Sequence, residues 1–401
     1  MCKPELRFKE FSDDWKNNKL GEIAKFSKGK GISKNDISVE GTECIRYGEL
    51  YTTYNEKISV VFSKTNLNKK NLVLSGKHDI LIPSSGETAI DLATASCLMK
   101  EGIAIGGDTN ILKTDENSLF LSYYLNYKRN EIAILAQGVS VVHLYAQHLK
   151  ILDLNLPSFN EQEEIADFLS IVDEKIAILE KKLEKWDLYK KGIMQQLFSQ
   201  ELRFKDENGD NYPEWELKIL EELMAKGKAG GTPKSTEPTF YNGNIPFLSI
   251  ADMTSQGKYI FRTEKNITNL GLENSSAWII PKNNLLYSIY ASIGFVAINK
   301  VELTTSQAIF GLMLKKDFNL EFIYYMLLDF KKHIPRYTET GTQGNLNSKI
   351  VKNFEFEIPS IEEQRKIATF LVNMDEKIGK IEEKIDKVQK FKKGLLQKMF
   401  C

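Results

Sequence analysis

Apolar residues recur at four-three spacing in two long stretches of the chain. Val172, Ile176, Leu179, Leu183, Trp186, Ile193 and Leu197 keep this rhythm in residues 156–198, and Met374, Ile378, Ile381, Ile385, Val388, Leu395 and Met399 keep it in residues 358–401. Such a seam predicts two long helices that pair through one face. The stretches are copies: LPSFNEQEEIADFLSIVDEKIAILEKKLEKWDLYKKGIMQQLF returns 202 positions later as IPSIEEQRKIATFLVNMDEKIGKIEEKIDKVQKFKKGLLQKMF, with 20 of 43 positions identical. An internal duplication is the first conclusion. Each copy opens with Pro, then Ser, then Glu three residues on, Ser158 with Glu161 and Ser360 with Glu363. That predicts a capping box, in which the hydroxyl accepts from a free backbone amide and the carboxylate reaches back to the cap.

One seam position in each copy is polar, Lys190 and Lys392. The plain expectation is an aliphatic stem lying along the seam with its ammonium in water. Gly192 and Gly394 follow, each unfavourable by about 1 kcal/mol relative to Ala in a helix interior. They imply either a close helix approach or a bent last turn. A helix of roughly 40 residues is about 60 Å long, poorly stable alone and too long to bury in one domain. Antiparallel pairing of the two gives a rod with a globular domain at each end and an approximate two-fold axis across it.

The duplication extends beyond the helices. ELRFK opens both halves, at residues 5–9 and 201–205, followed by a Trp (Trp15, Trp215) and a Leu (Leu20, Leu220). In the middles, strand patterns punctuated by Pro, Gly and Asn cover residues 44–50, 79–82 and 102–111 of the first half and 245–253, 284–290 and 294–298 of the second. Short helical patterns follow at 119–127 and 320–328. The expected fold is α+β: mixed domains over residues 1–155 and 199–357, separated by coiled-coil helices at 156–198 and 358–401.

The chain has 401 residues, 42% of them apolar, enough for two or three domains. The charged amino terminus is no signal peptide, and the most apolar run, residues 285–298, is too short to span a bilayer, so a cytoplasmic address without membrane contact is expected. Cys2, Cys44, Cys97 and Cys401 show no paired spacing, which argues against zinc and against a disulfide framework. Formal net charge is zero, which by itself weakens a nucleic-acid reading.

Local clusters change that picture. Both openings lead into a Lys/Gly loop: Lys25, Lys28, Lys30 and Lys34 in one half, Lys226, Lys228 and Lys234 in the other. A solvated turn explains either alone, whereas two at equivalent places point to phosphate contact. The candidate contacts are Lys28, Lys30, Lys34 and Arg46 in the first half and Lys228, Thr232, Lys234 and Ser235 in the second. A polar loop before each long helix adds Gln137, His143, Tyr145 and Gln147, and Thr342, Gln343, Asn345 and Asn347, with donors and acceptors suited to base edges. Catalytic signatures are missing. Residues 102–108 lack the spacing of a phosphate-binding glycine loop, His143 and His148 have no third metal ligand, and no methyltransferase corner is present. Neither a metal site nor catalysis by this chain alone is expected.

These features resemble the specificity subunit, HsdS, of type I restriction-modification systems, over nearly the whole chain. The most specific stretches are GGTPKSTEPTFYNGNIPFLSIADM (residues 230–253), NSSAWIIPKNNLLYSIYASIGFVAINK (274–300), GTQGNLNSK (341–349) and the two PSxxEQ helix openings. The first half departs from the commoner pattern, with IRYGELYTTY and IPSSGETAIDLATASC in place of the GGTP-type opening. The resemblance implies two target-recognition domains, each reading one half of a bipartite asymmetric site in double-stranded DNA, with the helices setting the gap. It also implies two HsdM methyltransferase subunits and HsdR translocase subunits as partners, which would use S-adenosylmethionine, ATP and Mg while this chain binds no cofactor. The competing reading is a coiled-coil scaffold for an assembly without DNA. A salt-dependent shift with duplex DNA separates the two.

Overall fold

Each seam forms one unbroken helix, Phe159–Phe198 and Ile361–Met399. The computed structural model describes residues 3–138, 141–338 and 346–401. Contacts divide the chain into two units, Met1–Lys181 with Glu383–Cys401, and Lys182–Glu382. Each unit therefore holds one mixed domain, the start of one long helix and the end of the other.

Both helices begin three residues later than the copied stretch, because the preceding residues are strand. Asp153–Leu156 pairs antiparallel with Lys16–Lys19, and Glu355–Ile358 with Glu216–Ile219. Ser158 Oγ and Ser360 Oγ accept from the amides of Glu161 and Glu363 at 3.4 Å, as expected. The carboxylates do not reach back. Glu161, 1% exposed, accepts Arg7 Nε at 2.6 Å and Nη2 at 2.8 Å, with Trp15 Nε1 at 3.4 Å. Glu363, fully buried, accepts Arg203 Nε at 3.2 Å and Nη2 at 2.9 Å, with Trp215 Nε1 at 3.0 Å. A two-pronged guanidinium outcompetes a single backbone amide for a buried carboxylate. Phe8 and Phe204, next to those arginines, meet Phe168 and Phe370 edge to face. The Gln of each PSxxEQ opening bridges to the domain: Gln162 Oε1 accepts the Asn117 amide at 3.0 Å, and Gln364 Oε1 the Asn319 amide at 2.9 Å. Asn117 and Asn319 in turn cap the helices Ser118–Tyr127 and Leu320–Phe330.

The two domains share one sheet order although their sequences have diverged. The first runs Ala24–Lys28, Thr109–Thr114, Ile80–Pro83, Ser96–Leu98, Lys57–Ile58, and the second Met224–Ala229, Ile309–Leu314, Leu285–Ser288, Val296–Asn299, Tyr259–Ile260. A smaller sheet accompanies each, four-stranded in the first unit and three-stranded in the second. The expected strand over residues 245–253 ends at Leu248, where Ser249 and Asp252 form a reciprocal cap and the chain turns helical over Ile250–Gln256. The strand expected at 44–50 likewise ends at Ile45, where the Glu49 carboxylate accepts the Arg46 amide and the helix Glu49–Thr52 begins.

In the first unit Ile165, Leu169 and Val172 share a buried cluster with Leu395, Met399 and Phe400 and with Trp15, Phe120 and Tyr124 of the domain. In the second, Met194 and Leu197 pack with Ile367, Leu371 and Met374 and with Phe322 and Tyr325. The seam lysines depart from expectation. Lys392 Nζ lies 2.7 Å from Asp173 and 2.9 Å from Glu56, and Lys190 pairs with Asp375, so neither ammonium is left to water. Gly192 and Gly394 face open space, where a Cβ would meet nothing within 4 Å, which removes the close-approach reading. Cys44 and Cys97 are buried free thiols, whereas Cys401 is disulfide-bonded, against the expectation of no bridge. Among the described residues no helix is long and apolar enough to cross a membrane.

Candidate nucleic-acid interface

In the first unit, backbone hydrogen bonds gather several separate loops. Where the strand Ala24–Lys28 ends, the Gly29 amide donates to Thr109 O and the Lys30 amide to Ile105 O, both at 3.0 Å. Only glycine fits here, because a Cβ on Gly29 would stand 1.9 Å from Gly106 O. The Gly106 amide donates to Ile45 O at 2.8 Å, which brings Arg46 alongside. On the other side the Ser84 amide donates to Asp108 O and the Leu144 amide to Ser84 O, while His143 pairs with Ser85 across a short ribbon. Gln137 and His143 exchange both backbone hydrogen bonds, and the His143 and Tyr145 rings stack at 5.9 Å.

Lys28, Lys30, Arg46, Gln137, His143 and Tyr145 therefore belong to one connected group of loops. Lys34, on the short turn Lys34–Asp36, and Gln147, beside His148, are tied to the group only through their own chain segments. Lys28, Lys30 and Lys34 are exposed and form no ion pair with a described residue. Arg46 is partly spent on Glu49, 3.6 Å away. The connected loops present cations beside stackable rings and amide groups, the mixture that backbone and base-edge contact requires.

The second unit repeats the framework with different side chains. The Gly230 amide donates to Ile309 O and the Gly231 amide to Thr305 O, each at 2.9 Å, and a Cβ on Gly230 would lie 2.1 Å from Thr305 O. The Ile289 amide donates to Ala308 O and the Leu346 amide to Ile289 O, as Ser84 and Leu144 do in the first unit. Thr232 is hydrogen-bonded to Gln307, Lys234 makes a long 3.9 Å ion pair with Glu237, and Ser235 is exposed. Asn347 caps the helix Ser348–Lys352, with its side chain accepting from the Ile350 amide. Thr342, Gln343 and Asn345 lie outside the described residues.

The two lysine-rich loops are not in register. Lys28 lies opposite Asn110, and the residue at the matching place in the second unit is Ala229, opposite Phe310; Lys228 lies one position earlier, opposite Gly311. A one-residue offset on a strand reverses the face a side chain takes. Lys226 is drawn over the Trp278 ring at 4.3 Å, and Trp278 Nε1 donates to Lys228 O. Sequence reading missed the turn at residues 106–110, which carries the left-handed Asp108 (φ 56°) and the buried Thr109 Oγ1 and Asn110 Oδ1, neither with a hydrogen-bond partner among the described residues. Its only sequence signal was the Gly-Gly-Asp run.

A family model described as the type I restriction modification DNA specificity domain matches residues 12–185 and 212–390. The type I restriction enzyme MjaIX specificity subunit of Methanocaldococcus jannaschii is 29% identical over 51% of this chain, a match spanning 48% of that relative's own length. The MjaVIII specificity subunit of the same organism is 24% identical over 98% of this chain and 94% of its own. Among solved structures, the S subunit of a type I restriction-modification system from M. genitalium superposes with a TM-score of 0.62 at 18% identity, covering 100% of this chain and 99% of that one. At that identity the likeness is one of fold.

Proposed function

Because this chain belongs to the type I restriction-modification DNA specificity family, and is a DNA-recognition subunit, we propose that residues 1–155 and 199–357 are two recognition domains, each reading one half of a bipartite asymmetric site. The observation that carries this reading is the repeated loop framework: the same glycine-locked backbone in both units, bearing different side chains. A common scaffold with divergent loops suits two domains that do one task on two sequences.

The two long helices pair antiparallel in this account and set the unread gap. Asp173 to Lys190 runs up the first helix by the same seventeen positions that Lys392 to Asp375 runs down the second, and each Lys meets the other helix's Asp. Such pairing relates the copies by a pseudo-two-fold axis, offers two near-equivalent faces to two methyltransferase subunits and inverts the heads on the duplex. The chain itself is non-catalytic and works in the cytoplasm. Its methyltransferase partners supply S-adenosylmethionine chemistry, and restriction subunits that join them supply ATP- and Mg-dependent cleavage.

A neutral reader needs basic partners to hold DNA firmly. Duplex binding by the full chain at physiological salt should strengthen at least tenfold, on the order of 1.4 kcal/mol, when the methyltransferase subunits are added. Equal affinity with and without them would overturn the division of labour. A flat salt dependence in both cases would favour a scaffold that does not contact DNA.

A further inference from the structure

The half-buried seam lysines belong to two matched clusters, one in each unit. In the first, Lys392 Nζ lies 2.7 Å from Asp173 Oδ1, and the Tyr123 hydroxyl donates to Asp173 Oδ2 at 2.6 Å. In the second, Lys190 pairs with Asp375, and the Tyr325 hydroxyl donates to the same carboxylate. The Lys and the Asp come from the long helices, and the Tyr comes from the domain helix that the PSxxEQ opening holds. This Lys, Asp and Tyr set is the same in both units.

The next residue is not. Glu56 sends its carboxylate to Lys392 Nζ at 2.9 Å, whereas Lys258 sends its ammonium to Asp375 at 3.1 Å and to the Tyr325 hydroxyl at 2.7 Å. Backbone hydrogen bonds place the two at one station of the fold. Glu56 O and Ile58 O accept the Cys97 and Met99 amides, and Lys258 O and Ile260 O accept the Ile298 and Lys300 amides. A second difference accompanies the first: two residues past the capping Asn, the first unit has Leu119 and the second Glu321, whose carboxylate lies 2.9 Å from Lys258 Nζ. The swap of sign at one station is matched by an added carboxylate at its neighbour.

We propose that the Lys and Asp of the paired helices form a socket that accepts either charge, and that the residue at the Glu56/Lys258 station is a positioning residue that seats each recognition domain on the helices. An ammonium beside a carboxylate is a half-buried dipole here: an acid docks on its Lys end and a base on its Asp end, and either leaves the cluster without an isolated charge. The carboxylates respond accordingly. Burial raises the Asp173 carboxyl above its ordinary range, with Lys392 pulling it down and Glu56 pushing it up. Burial acts the same way on Asp375, but hydrogen bonds from Lys190 and Tyr325 and the charges of Lys190 and Lys258 outweigh it and hold that group low. The inference rests on reading the helices as the frame for the recognition domains. Its first readout is stability without DNA, so its failure is distinguishable from a failure of that reading.

The test transplants each cluster into the other unit of the full chain. Glu56→Lys alone should lower the first unit's melting temperature, because two ammoniums share one carboxylate. Adding Leu119→Glu should restore it to within about 3 °C of the starting protein, with the methylated motif unchanged when the methyltransferase partners are present. Glu56→Lys with Asp173→Asn should fall furthest. The reciprocal Lys258→Glu with Glu321→Leu should hold in the second unit, where the acid docks on Lys190. Rescue by either transplant supports the socket. Failure of Leu119→Glu to raise the Glu56→Lys variant together with failure of Glu321→Leu to raise the Lys258→Glu variant, or stability of Glu56→Lys, Asp173→Asn equal to the starting protein, overturns it.

Discussion

Replacing Arg7 by Met removes both guanidinium prongs from Glu161 and leaves a carboxylate that is 1% exposed. The remaining side-chain donor among the described residues is Trp15 Nε1 at 3.4 Å, a weak and uncharged partner. Removing one member of a buried ion pair costs about 3–5 kcal/mol, most of it the penalty of the stranded charge. A unit of this size shifts its melting temperature by roughly 2–4 °C per kcal/mol, so calorimetry of the full chain should show the first unit melting about 6–20 °C lower. Removing the acid as well, in Arg7→Met with Glu161→Leu, should recover most of the loss, since an apolar pair of similar volume carries no stranded charge. Arg203→Met should reproduce the effect in the second unit through Glu363. A shift under about 2 °C for Arg7→Met, or a double variant no more stable than the single one, would show that the clasp does not anchor the helix start.

Substituting Lys28 and Lys30 together by Ala should weaken duplex binding by the assembled complex evenly across sequences. It should lower the slope of log affinity against log salt by about 0.9 for each phosphate no longer neutralised; an unchanged slope would remove these lysines from the interface. Inserting one helical turn into both long helices should lengthen the unread gap, since a turn spans about 5.4 Å. Methylome sequencing should then show both half-site sequences unchanged, and an altered base in either would sink the ruler. The two half-buried aspartates should respond oppositely to pH. The lowered Asp375 contributes stability above the ordinary carboxylate value of 3.8 that is lost as pH falls through its folded value, whereas the raised Asp173 takes up a proton more readily in the folded state. The deficit of Asp375→Asn in urea titrations should therefore shrink on acidification from about pH 6 to about pH 3, and that of Asp173→Asn should grow. Parallel trends would contradict the assignment.

The helices and the duplication were legible because a four-three apolar rhythm and a repeated string need no knowledge of distant contacts. Ser158 and Ser360 were legible as caps for the same reason, since a cap bonds to amides a few residues away. Glu161 and Glu363 were misread because their partners Arg7 and Arg203 lie 154 and 160 residues upstream. The repeated ELRFK and Trp carried that information, but nothing local said what they clasp. Lys190 and Lys392 failed similarly: a Lys at a seam position fits water or a half-buried acid equally well, and only the fold brings Asp375 and Asp173 to them. The two lysine-rich loops were legible as strings but their register was not, because a bulge between Met224 and Lys226 offsets the second by one residue. The station shared by Glu56 and Lys258 was invisible, since its two occupants have opposite charge.

Whether each domain reads its own half-site through its loop group is decided by the methylome of cells carrying the chain with Thr232, Lys234 and Ser235 substituted, alongside its methyltransferase partners. One half of the methylated motif should change or become degenerate while the other half and the spacer stay as they were. Change in both halves together, or in neither, would contradict it.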